Sequence, residues 1–96
     1  MAKLAALAEI GATNDGGCAR LALTDEDRDG RDLVVSWMED LGLDIVIDGI
    51  GNVVATQRGF DPNRAPVMCG SHIDTVRTGG RYDGNYGVLA GLEVIE

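Results

Sequence analysis

Histidine is almost missing from this sequence: His72 is the single one in 96 residues. Any imidazole chemistry within the chain therefore rests on that residue. Cysteine is nearly as scarce, with only Cys18 and Cys69. Two thiols make no disulfide framework, and their spacing fits no zinc motif. Cys69 lies in the apolar run Pro66-Val67-Met68-Cys69-Gly70 and is expected to be a small buried hydrophobe rather than a redox thiol. Positive charge is in deficit, eight Lys and Arg against sixteen Asp and Glu, for a net charge of −8. That argues against nucleic acid or an anionic membrane as partner. Long hydrophobic runs are absent. The first ten residues are too short and too charged for a signal peptide or a membrane span, and a cytoplasmic, reducing home is expected. No repeat, low-complexity tract or interdomain linker stands out.

What is there suits one small domain with a modest core. A hydrophobic content of 45% is ordinary for a globular chain. Leu4, Leu7, Ala8 and Ile10 recur at helical spacing, which predicts a helix over 2–10 ended by Gly11. A loop over 11–23 follows, with the turn Asn14-Asp15-Gly16-Gly17. Thr24 reads as an N-cap ahead of the acids Asp25, Glu26, Asp27, Asp29 and Asp32, a solvated helix start. Val34, Trp37, Met38 and Leu41 share one face of a helix over 25–41, with Gly42 as its stop. Gly30 inside that helix costs about 1 kcal/mol relative to alanine, and the sequence offers no reason for it. Residues 43–48 and 53–57 read as two antiparallel strands joined by a turn at 49–52. The apolar run 65–70 reads as a third strand, buried on both faces. Val88, Leu89, Leu92 and Ile95 fall in helical register over 85–96, with Gly91 permitting close packing on the sheet. The element order predicts an α/β domain with a mixed sheet flanked by helices. The last helix is still in register at Glu96, so the chain is expected to be the incomplete N-terminal portion of a longer protein.

The chemistry concentrates in Gly70-Ser71-His72-Ile73-Asp74-Thr75-Val76 and Gly79-Gly80-Arg81-Tyr82-Asp83-Gly84. An imidazole with nearby carboxylates is what a hydrolytic zinc or manganese centre needs. Asp74 lies two residues past His72, on its side of an extended segment. Asp83 arrives on a glycine-rich loop that lets backbone crowd a metal or substrate. Taken alone, His-x-Asp more often describes a structural histidine bonded to its neighbour, and Asp-Gly a simple turn.

The whole string decides between these readings. With Gly87-Val88-Leu89-Ala90-Gly91-Leu92-Glu93, it closely resembles the hydantoinase/carbamoylase family of metal-dependent amidases, which includes N-carbamoyl-L-amino-acid hydrolases, allantoate amidohydrolases and β-ureidopropionases. Upstream, Ile10-Gly11-Ala12-Thr13, Gly16-Gly17, Arg20-Leu21-Ala22-Leu23-Thr24, Asp27, Gly30-Arg31 and Asp48-Gly49-Ile50-Gly51-Asn52 extend the resemblance over nearly the whole chain. It implies that His72 is a metal ligand, that Asp83 bridges two divalent metals, zinc or manganese, and that Asp74 is the catalytic-site acid orienting the ligand histidine. It implies the N-terminal part of a di-metal amidohydrolase/aminopeptidase-like catalytic domain. The general-base glutamate, the remaining ligands and a dimerisation or lid domain would lie beyond Glu96, in a homodimeric parent.

The implied reaction is metal-assisted hydrolysis of a non-peptide C–N bond in a small linear amide, an N-carbamoyl amino acid or ureido compound. The alternatives are an aminoacylase or metallopeptidase of the same superfamily, or a non-catalytic remnant or binding module. Related peptidases usually set the bridging aspartate in Gly-Arg-Gly-x-x-Asp with a following lysine; Gly-Gly-Arg-Tyr-Asp-Gly here favours the carbamoylase branch. Glu93 and Glu96 lie one turn apart on the last helix and are expected to be structural.

Overall fold

The computed structural model describes all residues from Met1 to Glu96. Three helices and a hairpin form in the order α1 (Ala2–Glu9), α2 (Asp25–Asp40), β1 (Asp44–Ile47), β2 (Val53–Thr56) and α3 (Asn85–Ile95). The α/β expectation stands. The sheet, however, is a two-stranded antiparallel hairpin rather than a mixed sheet.

Local chemistry sets the element ends. The Thr24 hydroxyl accepts from the Asp27 N–H at 3.2 Å, and the Asp27 carboxylate accepts from the Leu23 N–H at 2.9 Å. One orphan donor of the first turn of α2 is thus satisfied, and the return bond fixes the chain just ahead of the cap. At its other end, Gly42 takes φ +74°. Its N–H donates to Glu39 O at 2.8 Å, while Leu43 N–H reaches back to Met38 O at 3.2 Å. That pair of bonds is a Schellman stop, and it carries Leu43 into the core. The hairpin pairs Ile45 with Ala55 and Ile47 with Val53. Its turn is closed by Asp48, whose carboxylate accepts from the N–H groups of Ile50 and Asn52 and from the Asn52 side chain at 2.8–3.0 Å. These bonds to the charged form, the Asn52 side chain first, lower the Asp48 pKa.

The core is small: Leu4, Leu7, Val34, Leu43, Leu89 and Leu92 are buried together, with Trp37, Met38, Leu41, Ile73, Val88 and Ile95 packed around them. The apolar face of α3 therefore has partners in α1 and α2. Truncating Leu7, which is fully buried, would cost about 2–5 kcal/mol.

The expected third strand does not form. Residues 65–70 carry no strand pairing and are exposed throughout, with Val67 fully open. A strand needs a neighbour for its backbone donors and acceptors; β1 and β2 pair only with each other. An apolar run alone does not supply that ladder. Cys69 is accordingly exposed, not buried, whereas Cys18 is the buried thiol. Gly91 makes room for the Cys69 Sγ, which a Cβ would meet at 3.0 Å, rather than for a sheet strand.

Candidate metal centre

His72 lies on an irregular segment between the exposed run and Thr75. Its Nδ1 is 2.9 Å from the Asp74 carbonyl oxygen and 3.5 Å from the Asp74 carboxylate. A carbonyl only accepts, so Nδ1 carries the proton. In the neutral ring, Nε2 then keeps its lone pair, the form in which imidazole binds a metal. The sequence pointed to the Asp74 carboxylate as the orienting partner; the hydrogen bond is made instead by the Asp74 main-chain carbonyl, with the carboxylate further off and no strand needed to bring the two residues together.

Asp83 arrives by a separate route. Residues 81–84 form a turn, with Asp83 N–H to Gly80 O at 3.4 Å, that leads into α3. Gly84 takes φ +71° and packs directly on His72. A Cβ there would sit 2.3 Å from the His72 carbonyl and 2.5 Å from both Nδ1 and Cε1. Only glycine tolerates this approach, and through it the residue next to Asp83 lies against the imidazole. The Asp83 carboxylate is exposed and makes no ion pair. Nε2 of His72 and the carboxylate of Asp83 are thus free donors on neighbouring segments, a nitrogen and oxygen set that suits zinc or manganese. Two donors make only part of a coordination sphere. Nowhere in the chain do three His, Cys, Asp or Glu side chains converge to hold a metal ion.

His72 and Asp74 open on a groove of about 340 Å³, bounded across from them by Asp27 and Arg31 of α2 and by the hairpin turn at Asn52. A second cleft, also about 340 Å³, lies among Thr13, Asp15, Arg77 and Gly79 and reaches neither candidate ligand. The Thr13 hydroxyl bonded to Asp15, and then the Gly17 N–H, lower the Asp15 pKa there. Glu93 is exposed on α3, and Glu96 pairs with Lys3 at 3.1 Å.

Relatives now bear on this geometry. No protein-family model matches the chain. It is 49% identical to an N-carbamoyl-L-amino-acid amidohydrolase from Pseudomonas sp. (strain NS671), over 93% of this chain and 22% of that protein. It is 44% identical to an allantoate amidohydrolase from Bacillus subtilis (strain 168), over 90% of this chain and 21% of that one. A crystal structure of a hydantoinase/carbamoylase family amidase from Burkholderia ambifaria superposes with a TM-score of 0.94 at 55% identity, over 98% of this chain and 23% of that chain. The chain matches a fragment of N-carbamoyl-L-amino-acid amidohydrolases, allantoate amidohydrolases and hydantoinase/carbamoylase family amidases. It spans about a fifth of the length of these hydantoinase/carbamoylase relatives.

One residue escaped sequence reasoning as part of the site. Arg20 is completely buried, and no carboxylate pairs with it. Its guanidinium donates instead to Leu7 O at 2.8 Å and Ile10 O at 2.6 Å, to Ile73 O at 2.9 Å and to Asn85 Oδ1 at 2.8 Å. The first two carbonyls lie at the C-terminal, partially negative end of α1, which favours a cation. The signal in the sequence was Gly30: a Cβ there would meet Arg20 Cδ at 2.8 Å. The helix glycine is the space through which the arginine passes.

Proposed function

We propose that this chain carries part of the metal site of an amidohydrolase acting on linear amides, with N-carbamoyl amino acids or ureido compounds as substrates. The observation that supports this most is the junction of Gly84 with His72, which sets an oriented imidazole beside the Asp83 loop. The names of the relatives, N-carbamoyl-L-amino-acid and allantoate amidohydrolases, give the substrate class.

His72 would bind through Nε2 while the Asp74 carbonyl, backed by its carboxylate, holds the Nδ1 proton. That contact fixes the ring plane and raises its basicity as a ligand. Asp83 would supply one or both carboxylate oxygens, and two oxygens allow it to span a pair of metals. When bound, divalent ions generate a nucleophilic water near neutral pH and polarise the substrate carbonyl. The groove between His72 and α2 gives a small amide access from one side, and Arg31 on its wall offers a cation to an anionic substrate. A proton acceptor for the attacking water is not found among these residues, so the 96-residue chain alone is expected to be inactive and to bind metal weakly.

Isothermal titration with zinc tests the ligand assignment. Weak binding lost in His72→Ala and reduced in Asp83→Ala supports it. Tight stoichiometric binding abolished by His72→Ala would contradict the partial-site reading. In a protein of the relatives' full length carrying this chain, ammonia release from N-carbamoyl-L-amino acids should depend on added metal and on both residues. Faster cleavage of dipeptides or N-acetyl amino acids would move the assignment to the peptidase or aminoacylase branch.

A further inference from the structure

We propose that Arg20 is the positioning residue that holds the two halves of the metal site in register. His72 and Asp83 stand on separate segments. Arg20 is bonded to both segments. Its Nε–H donates to Ile73 O at 2.9 Å, and its main chain is tied to Thr75 twice, N–H to the Thr75 hydroxyl and carbonyl from the Thr75 N–H, each at 2.7 Å. These bonds clamp the residues on either side of Asp74, whose carbonyl fixes the His72 ring. The same guanidinium reaches the other segment through Asn85 Oδ1 at 2.8 Å. Asn85 is two residues past Asp83 and is itself fully buried, its amide donating to Arg81 O at 3.0 Å. One planar fork therefore spans the His72 arm and the Asp83 arm, and it is anchored from behind on the end of α1. Lysine cannot reproduce this, because an ammonium is a single point of donation without the fixed fork.

This inference rests on His72 and Asp83 being ligands, and the test separates the two ideas. His72 is the only histidine, so its imidazole nitrogens give unambiguous NMR signals. In the metal-free chain the signals should show Nδ1 protonated. Arg20→Lys should shift them toward a mixture of tautomers, and Asn85→Ala should leave them unchanged. Cobalt titration should then show affinity falling about tenfold in Arg20→Lys, the scale of losses on removing an outer partner. Asn85→Ala, which cuts the Arg20 link to the Asp83 arm together with the Asn85 bond to Arg81 O, should lose about fivefold. In the unaltered chain, where folding is not in question, zinc should slow exchange of the Arg20 Nε–H by about fivefold, because linkage is reciprocal. Unchanged exchange on saturation with zinc, or wild-type cobalt affinity in a folded Asn85→Ala chain, would overturn the positioning role. If the unaltered chain binds neither metal at His72, it is the ligand assignment that fails, while the metal-free imidazole signals still report whether Arg20 orients the ring.

Discussion

Replacing Gly30 with alanine should destabilise this protein, against the direction that helix propensity alone dictates. An alanine in the interior of α2 would gain about 1 kcal/mol over glycine. The new Cβ, however, would stand 2.8 Å from Arg20 Cδ and 3.2 Å from Arg20 Nε. Ordinary carbon contacts lie near 3.5–4.0 Å, so one side must yield by more than half an ångström. Arg20 has little freedom to do so. Its main chain is tied to Thr75, and its guanidinium is bonded to Leu7, Ile10, Ile73 and Asn85. Overpacking of this kind costs about 1–3 kcal/mol, and losing one bond from a charged donor costs about 1.5–3 kcal/mol. The net expectation is destabilisation of about 1.5 kcal/mol or more, a fall in Tm of at least about 6 °C for a domain of this size. Urea unfolding with an unchanged m-value would measure it directly. A rise in stability of about 1 kcal/mol would refute the reasoning, for it would mean that Arg20 does not fill the space beside Gly30.

Gly84→Ala should be worse, because it combines a positive φ with overlap on the His72 ring and carbonyl; a loss of about 2–4 kcal/mol and of the ordered His72 signal is expected by urea unfolding and NMR. Native alkylation followed by mass spectrometry should label Cys69 and spare Cys18, with both labelled only in denaturant, since Cys69 is exposed and Cys18 buried. Carboxyl NMR should find Asp48 titrating below the ordinary aspartate range. Because its folded pKa is depressed, its contribution to the hairpin is complete above the unfolded value and is lost as pH falls through the folded one. Asp48→Asn should abolish that acid-side dependence.

The elements with local signals were legible in the sequence. Thr24 and the acids after it marked the start of α2, Gly42 its stop, and the alternation at 43–48 with the turn at 49–52 and the run at 53–57 the hairpin. These depend on neighbours in sequence, which a sequence displays. The run 65–70 misled because hydrophobicity signals burial only when a partner is present, and here no backbone pairs with it. The candidate site was legible as residue types, His72, Asp74 and Asp83, because a motif keeps chemistry at fixed spacing. Arg20 was not, since its partners at Leu7, Ile73 and Asn85 lie far apart in the chain and nothing local announces a buried cation held by carbonyls. Only the unexplained glycine at position 30 pointed to it.

On the function proposed here, His72 and Asp83 together face one metal position. Manganese, which broadens NMR signals near where it binds, tests this most directly. At substoichiometric manganese, selective broadening of residues 71–74 and 82–85 is expected, both segments at the same concentration, with the effect lost in His72→Ala. Broadening centred instead on the acidic start of α2, Asp25 to Asp29, or on one of the two segments without the other, would contradict it.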